Sequence, residues 1–432
     1  MSHNPSETME LFKKAFVEDD AVLFAKLLEQ YPEMKARIND PVAAFDAPVI
    51  TQARSREMLD VLLKAGADIN AKSRWWAGGF GLLHGAEPDL ALYAIERGAL
   101  VDVHAAARLG MMEKLRELVS SNPSLVHLPG GDGQTPLHFA STVEIAEYLV
   151  AHGADIDACD VDHESTPAQY MARDRQQVAR YLVQQGCKND ILLASALGDI
   201  QLVRQHLESD PESLRMSVSE QYFPKKNPHS GGTIYIWTLG QNKTAHAIAA
   251  EFGHHDIFRL LMERSPDDLK LAEAAEAGDE ALLKELLATR PNLVEKLSDQ
   301  DCRRLVAAAR NNNKETVQRL LSVGWPVDAR GLHGGTALHW AAFHGNADMA
   351  RIVLGYNPPL EWKDADFNAT PLGWAIHGSE HGWHCRTGNY AATVEALLQA
   401  GAKPPDKIEG TTAVKETLLR YAPERTTTMP NG

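Results

Sequence analysis

An apolar helical stretch ending in glycine and a small residue recurs along this chain, at Gly66-Ala67, Gly98-Ala99, Gly153-Ala154, Gly186-Cys187 and Gly401-Ala402. The step from Gly66 to Gly98 is 32 residues, and that from Gly153 to Gly186 is 33. A period of this length means a stack of small helical units. Two short helices cannot bury their own apolar face, so each unit must lean on its neighbours. A single closed core is excluded, and a chain of 432 residues would in any case outgrow one. Glycine suits the end of each second helix because it enters the left-handed region without a Cβ clash.

A second recurrence opens the first helix of each unit. Thr135-Pro136-Leu137-His138 is its fullest copy, with degenerate copies at Thr166-Pro167-Ala168-Gln169, Thr336-Ala337-Leu338-His339 and Thr370-Pro371-Leu372-Gly373. Threonine caps the free amides of a helix start, and proline fits the first turn. Leucine and the small alanines that follow allow close stacking on the next pair. This pattern resembles the ankyrin repeat family, most fully over 133–155 and again over 335–354. The resemblance implies an all-α fold, an α-solenoid of ankyrin-type helix pairs with short β-hairpin or loop connections. It also implies that His138 and His339 bond backbone between neighbouring hairpins and carry no chemistry. Partners of such arrays dock in a concave groove. Family register puts Glu251, Phe252, Phe343, His344, His377 and Gly378 at exposed groove positions, and His163, His333, Asp366 and Phe367 at hairpin tips.

Units without the Thr-Pro start read as two helices followed by a Pro-containing turn, as at 103–125, 191–214 and 269–293. Residues 40–65 and 295–325 match no motif and are read as helix pairs from length and periodicity. About twelve pairs account for nearly the whole chain. The expected organisation is an N-terminal capping pair at 1–39 and a first repeat block at 40–214, interrupted near 73–90. An inserted aromatic loop or hinge follows at 215–243, then a second block at 244–402 with an insertion at 379–390. Residues 403–432 hold a closing helix, Thr412 to Tyr421, and a polar tail from Pro423 that is expected to be disordered.

The three interruptions are rich in rings, where ordinary loops favour Gly, Asn, Asp, Ser and Pro. The first carries Trp75, Trp76 and His84; the second carries Tyr222, His229, Tyr235 and Trp237; the third carries His381, Trp383, His384 and Tyr390. Large exposed rings either pack back on the body or meet a ligand. Trp340 and Trp374 occupy equivalent positions in successive repeats and are expected to lie close together, as core or as anchors.

These observations support a protein or peptide partner held in an aromatic and His-lined groove. Its anchors are Trp75, Trp76, His84, Tyr222, Trp237, His333, Trp340, Phe343, Phe367, Trp374 and Trp383. The alternative is a small-molecule site or an enzyme of the proton-transfer lyase, isomerase or hydratase type. His344, His377, His381, His384, Glu380 and Glu87 would then be its acid/base groups, and Tyr390 a donor. A third option buries the aromatic loops between copies of the chain. No cofactor is expected. A divalent transition metal on His377, His381, His384 and Cys385 is the alternative, although Gly378 and Gly382 argue against a regular helix aligning His377 with His381.

Charge narrows the partners. Lys and Arg number 43 and Asp and Glu 58, a net −15, which speaks against a nucleic acid. No apolar run reaches the roughly 18 residues of a membrane span. The start, from Met1 to Glu7, lacks a secretory pattern. Four dispersed cysteines suit reduced thiols, so the expected location is cytoplasmic.

Overall fold

The computed structural model of the protein describes residues 5–421, so the tail from Pro423 lies outside the described residues. The chain is α-helical, with short 3-10 turns, as the repeat pattern requires. Among the described residues, β pairing is confined to isolated bridges at Ala43–Ala47, Lys72–Gly81 and Ser217–Thr244. Contacts divide the chain into two compact units, one ending at Ile257 and the other beginning at Phe258.

The first unit opens with the pair Pro5–Val17 and Ala21–Gln30, and its core begins with Phe12, Phe24, Met58, Leu59 and Leu62. Where Thr-Pro is missing, aspartate caps the first helix. Asp102 accepts from the Ala105 amide and Asp190 from the Leu193 amide, both at 2.9 Å. Gly66, Gly98, Gly153 and Gly186 each sit at φ between 87° and 97° just past a second helix. A side chain there would be strained.

The fullest copy of the motif makes only a short first helix, a 3-10 turn over Pro136–Phe139. Only six residues separate Thr135 from Thr142, which already caps the next helix, so a full α-turn has no room. The half-buried Arg175 guanidinium covers the freed carbonyls, donating to His138 O at 2.8 Å and Ala140 O at 3.0 Å. Residues 40–65 are likewise reduced to a 3-10 turn, Val49–Gln52, before the helix Arg56–Lys64.

The stretch 215–243 is sewn onto the first unit. Ser230 Oγ donates to Asp162 O at 2.6 Å, Ile234 N to Ser165 Oγ at 3.0 Å, and the fully buried Tyr235 donates its hydroxyl to Asp190 at 3.1 Å. The division between the units falls beyond it.

The second unit stacks Asp267–Ala277 with Glu280–Thr289, Arg304–Arg310 with Lys314–Ser322, Ala337–Phe343 with Ala347–Leu354, and Pro371–His381 with Tyr390–Gln399. Thr412–Tyr421 closes it. The motif-poor segment 295–325 is held by charge. Buried Arg304 reaches Glu273 at 2.7 Å, Glu276 at 2.6 Å and Asp301 at 3.0 Å. Three carboxylates around one guanidinium offset its desolvation and raise its pKa.

One expectation needs correction. The helix Pro371–His381 runs through Gly378, so residues 379–381 belong to it and His377 aligns with His381, ring centroids 4.9 Å apart. Glycine is tolerated here because the site has no room for more. A Cβ on Gly378 would lie 2.6 Å from Phe343 O and 3.0 Å from the Tyr390 ring.

Candidate functional site

In the second unit the stacking of Ala337–Phe343 on Pro371–His381 gathers rings onto one surface. Trp340 and Trp374 meet edge to face, centroids 5.1 Å apart, and Phe343 lies 5.9 Å and 5.8 Å from them. Both tryptophans are buried. Trp374 donates its indole N–H to Asp364 at 2.9 Å, whereas Trp340 Nε1 has no hydrogen-bond partner among the described residues. Burial alone would raise the Asp364 pKa, but the Phe367, Ala369 and Asp366 amides and the Trp374 indole hold it below the usual range.

The last insertion adds the outer wall. Trp383, 61% exposed, lies 5.8 Å from Trp340 and 5.4 Å from Phe343. Arg310 stacks its guanidinium 5.7 Å from the Trp340 ring and 5.9 Å from the Trp383 ring. Phe367, 65% exposed, continues the surface at the hairpin tip, 5.5 Å from His333 and 6.3 Å from Trp374. His333 Nδ1 pairs with Asp366 at 2.6 Å.

His344 departs from its expected exposed position. It is buried, its Nε2–H donates to Arg310 O at 2.8 Å, and burial lowers its pKa. Its Nδ1 is left buried without a partner, and the His384 ring packs 5.1 Å away. Tyr390 is buried as well, its hydroxyl donating to Phe343 O at 2.9 Å and its pKa pushed up to about 12 by burial. His377, His381 and Glu380 are exposed on their helix, and Cys385 is exposed in the turn after it. These acid/base groups are thus divided between buried positions, His344 and Tyr390, and exposed ones, His377, His381 and Glu380. A cleft of about 310 Å³ beside Asn346 and Asn389 takes in only His344 and His384 of the set. Glu87 lies in the first unit, exposed.

In the first unit the other two insertions meet. Trp75 lies against Phe45 at 5.1 Å and Trp76 at 6.1 Å, and Trp76 lies 6.1 Å from His229 of the second insertion. Tyr222 is half-buried and Trp237 stands out into solvent. His84, expected among the anchors, is buried in a structural role. Its Nδ1 accepts from Gly81 N at 3.2 Å and its Nε2–H donates to Asp102 at 3.0 Å. That is the role His138 and His339 play, whose Nε2–H groups reach Ser165 O at 3.1 Å and Ala369 O at 3.3 Å. Close to Trp75 lie Asp132, Asp162 and His163. Burial pushes the Asp132 carboxyl up to about 6, and the Asp162 charge adds to the shift. Of these three, the sequence singled out only His163, as a tip residue. The available signal was a carboxylate at tip position 132, where the second block carries His333.

Among the described residues no helix is long and apolar enough to cross a membrane. Residues 103–192, 271–370 and 305–408 match the family model for ankyrin repeats. The chain is 34% identical over 88 residues to the palmitoyltransferase Hip14 of Drosophila melanogaster, covering 20% of this chain and 12% of that protein. It is 34% identical over 118 residues to protein PhlB of Serratia liquefaciens, covering 26% and 51%. With the human transient receptor potential cation channel subfamily A member 1 it shares 25% over 299 residues, covering 67% and 22%. The chain thus spans from about an eighth to half of the length of these relatives. Repeat motif, helix-pair stacking and family match agree, and the chain belongs to the ankyrin repeat family.

Proposed function

We propose that the second unit is the docking surface of a protein-interaction scaffold, which holds a protein or peptide segment across Trp383, Phe343 and Phe367. Ankyrin repeats in general mediate protein–protein interaction. The observation that carries this reading is that Trp383 and Phe367, both more than half exposed, stand on a cluster of buried rings, Trp383 5.8 Å from Trp340 and Phe367 6.3 Å from Trp374. Exposed rigid rings backed by buried ones are the composition of an interface hot spot. Arg310, stacked on two of the rings, adds a positive charge that favours an acidic partner segment. The four free, separate thiols suit a reducing compartment, and we place the protein in the cytoplasm.

The test is selection from a random peptide display library on the full chain, followed by affinity measurement on Trp383→Ala and Phe367→Ala. Both side chains are exposed, so the variants keep their fold. Selected peptides that bind either variant at least ~10-fold more weakly support the surface. Peptides that bind wild type and both variants equally would sink it.

A further inference from the structure

The two repeat blocks carry equivalent hairpin tips with different charges. Aligned on Thr135 and Thr336, Asp132 corresponds to His333; aligned on Thr166 and Thr370, Asp162 corresponds to Asp366 and His163 to Phe367. The backbone is the same in both, Val161 N reaching Asp132 O and Ala365 N reaching His333 O at 2.7 Å each. In the second block the tip pair is a direct His333–Asp366 hydrogen bond. In the first block it is two carboxylates facing each other, with His163 beside them.

His163 is oriented for more than an ion pair. Its Nδ1–H donates to Gly232 O at 2.9 Å, which turns the Nε2 lone pair of the neutral ring toward the carboxylates. Nε2 lies 3.7 Å from Asp162 Oδ2 and 4.0 Å from Asp132 Oδ2, and the donor atoms of all three residues fall within 4.8 Å of one another. Hydrogen bonds need about 2.7–3.2 Å, so neither separation is one. Two ligands bound at about 2.0–2.2 Å to one ion stand roughly 3.4–4.2 Å apart, and the terminal carboxylate torsions are soft enough to close the rest.

The geometry points to a divalent transition-metal site formed by Asp132, Asp162 and His163, with the inserted stretch 229–232 as its outer support. One imidazole nitrogen and two carboxylates suit a borderline ion such as Zn²⁺ better than the all-oxygen preference of Ca²⁺ or Mg²⁺. The support is of the kind metal ligands need. Gly232 O fixes the imidazole tautomer, and Gly231 N donates to Asp162 Oδ1 at 3.0 Å, leaving Oδ2 to face the site. The three side chains are mostly buried, Asp162 and His163 being 10% and 12% exposed and Asp132 13%. Asp132 Oδ1 and the adjacent Trp75 Nε1 are both buried without a completed hydrogen bond. Asp160 is no ligand, because it is spent on the His163 and Ser165 amides and the Tyr170 hydroxyl at 2.7, 2.8 and 3.0 Å.

The test uses the full chain, stripped with EDTA and titrated with ZnCl2 by calorimetry and thermal unfolding. Expected are one equivalent of zinc per chain and a rise in Tm that EDTA reverses. Asp132→Asn should raise the Tm of the metal-free protein, because it removes a like-charge contact, yet weaken zinc binding by at least ~10-fold. His163→Gln should weaken it equally without that gain. Three results would each overturn the site: no zinc uptake by wild type, wild-type affinity retained in both variants, or an equal Tm rise with MgCl2 at the same concentration.

Discussion

The hydroxyl of Tyr390 donates to the backbone carbonyl of Phe343 at 2.9 Å, and so ties the end of the last insertion to the preceding repeat. Gly378 lies in the same crevice, with no space for a methyl group. The bond and the glycine together decide where Trp383 stands.

Substitutions in this crevice should separate hydrogen bonding from packing. Tyr390→Phe loses one hydrogen bond and is expected to destabilise by about 1 kcal/mol. Gly378→Ala drives a Cβ into Phe343 O and is expected to cost about 2–3 kcal/mol despite alanine's better helix propensity. Urea unfolding of the two variants checks the order; an unchanged Gly378→Ala would contradict the crevice.

The two kinds of tryptophan should differ sharply in stability. Trp374 is buried and bonded to Asp364, so Trp374→Ala should lose about 3–5 kcal/mol. Trp383 is mostly in solvent, and Trp383→Ala should change stability by less than about 1 kcal/mol. Thermal denaturation of the pair reads the difference directly.

Arg304 serves three carboxylates in its pocket. Arg304→Ala is expected to destabilise the second unit by about 3–5 kcal/mol, since it leaves buried charge uncompensated. Hydrogen exchange should show the loss in Arg304–Arg310 and Asp267–Ala277 first. An exchange pattern like wild type would show that the charges relax into water.

The motif histidines make stability depend on pH. Burial lowers His138 and His339 to about 4 from an ordinary 6.5; the Arg175 charge adds to this at His138 and Arg330 at His339, while Asp364 opposes it there. The folded pKa is below the unfolded one, so between about 4 and 6.5 the unfolded chain binds more protons, and stability falls as pH drops through that window. Each shift of about 2.5 is worth at most about 3 kcal/mol. Gln169 caps Thr166 N at 2.9 Å in the equivalent place without titrating, so His138→Gln should keep the fold and flatten the slope. Urea midpoints at pH 7.5 and 5.0 measure it; an equal slope in variant and wild type would remove His138 from the account.

Much of the fold was legible from spacing. Gly66, Gly98, Gly153, Gly186 and Gly401 mark helix ends because only a residue without Cβ turns there easily, and a 33-residue rhythm of such ends admits few packings. The closeness of Trp340 and Trp374 followed from their equal register. The burial of His84 and His344 did not, because a histidine spent on a neighbouring repeat looks the same in sequence as one free for solvent. His84 serves Asp102 and His344 serves Arg310 O, partners 18 and 34 residues away in the chain. The helix through Gly378 was also hidden, since helix propensity counts against glycine and only the crowding by Phe343 and Tyr390 requires it.

Local chemistry thus determined the repeating unit by itself: caps, left-handed glycines and an apolar face that must be shared are properties of neighbouring residues. What the interruptions do was decided only by tertiary structure. Whether Trp383 joins a ring surface, or two aspartates thirty residues apart come to face one imidazole, depends on which hairpin tips the stacking brings side by side. That proximity arises across repeats, where no sequence period records it.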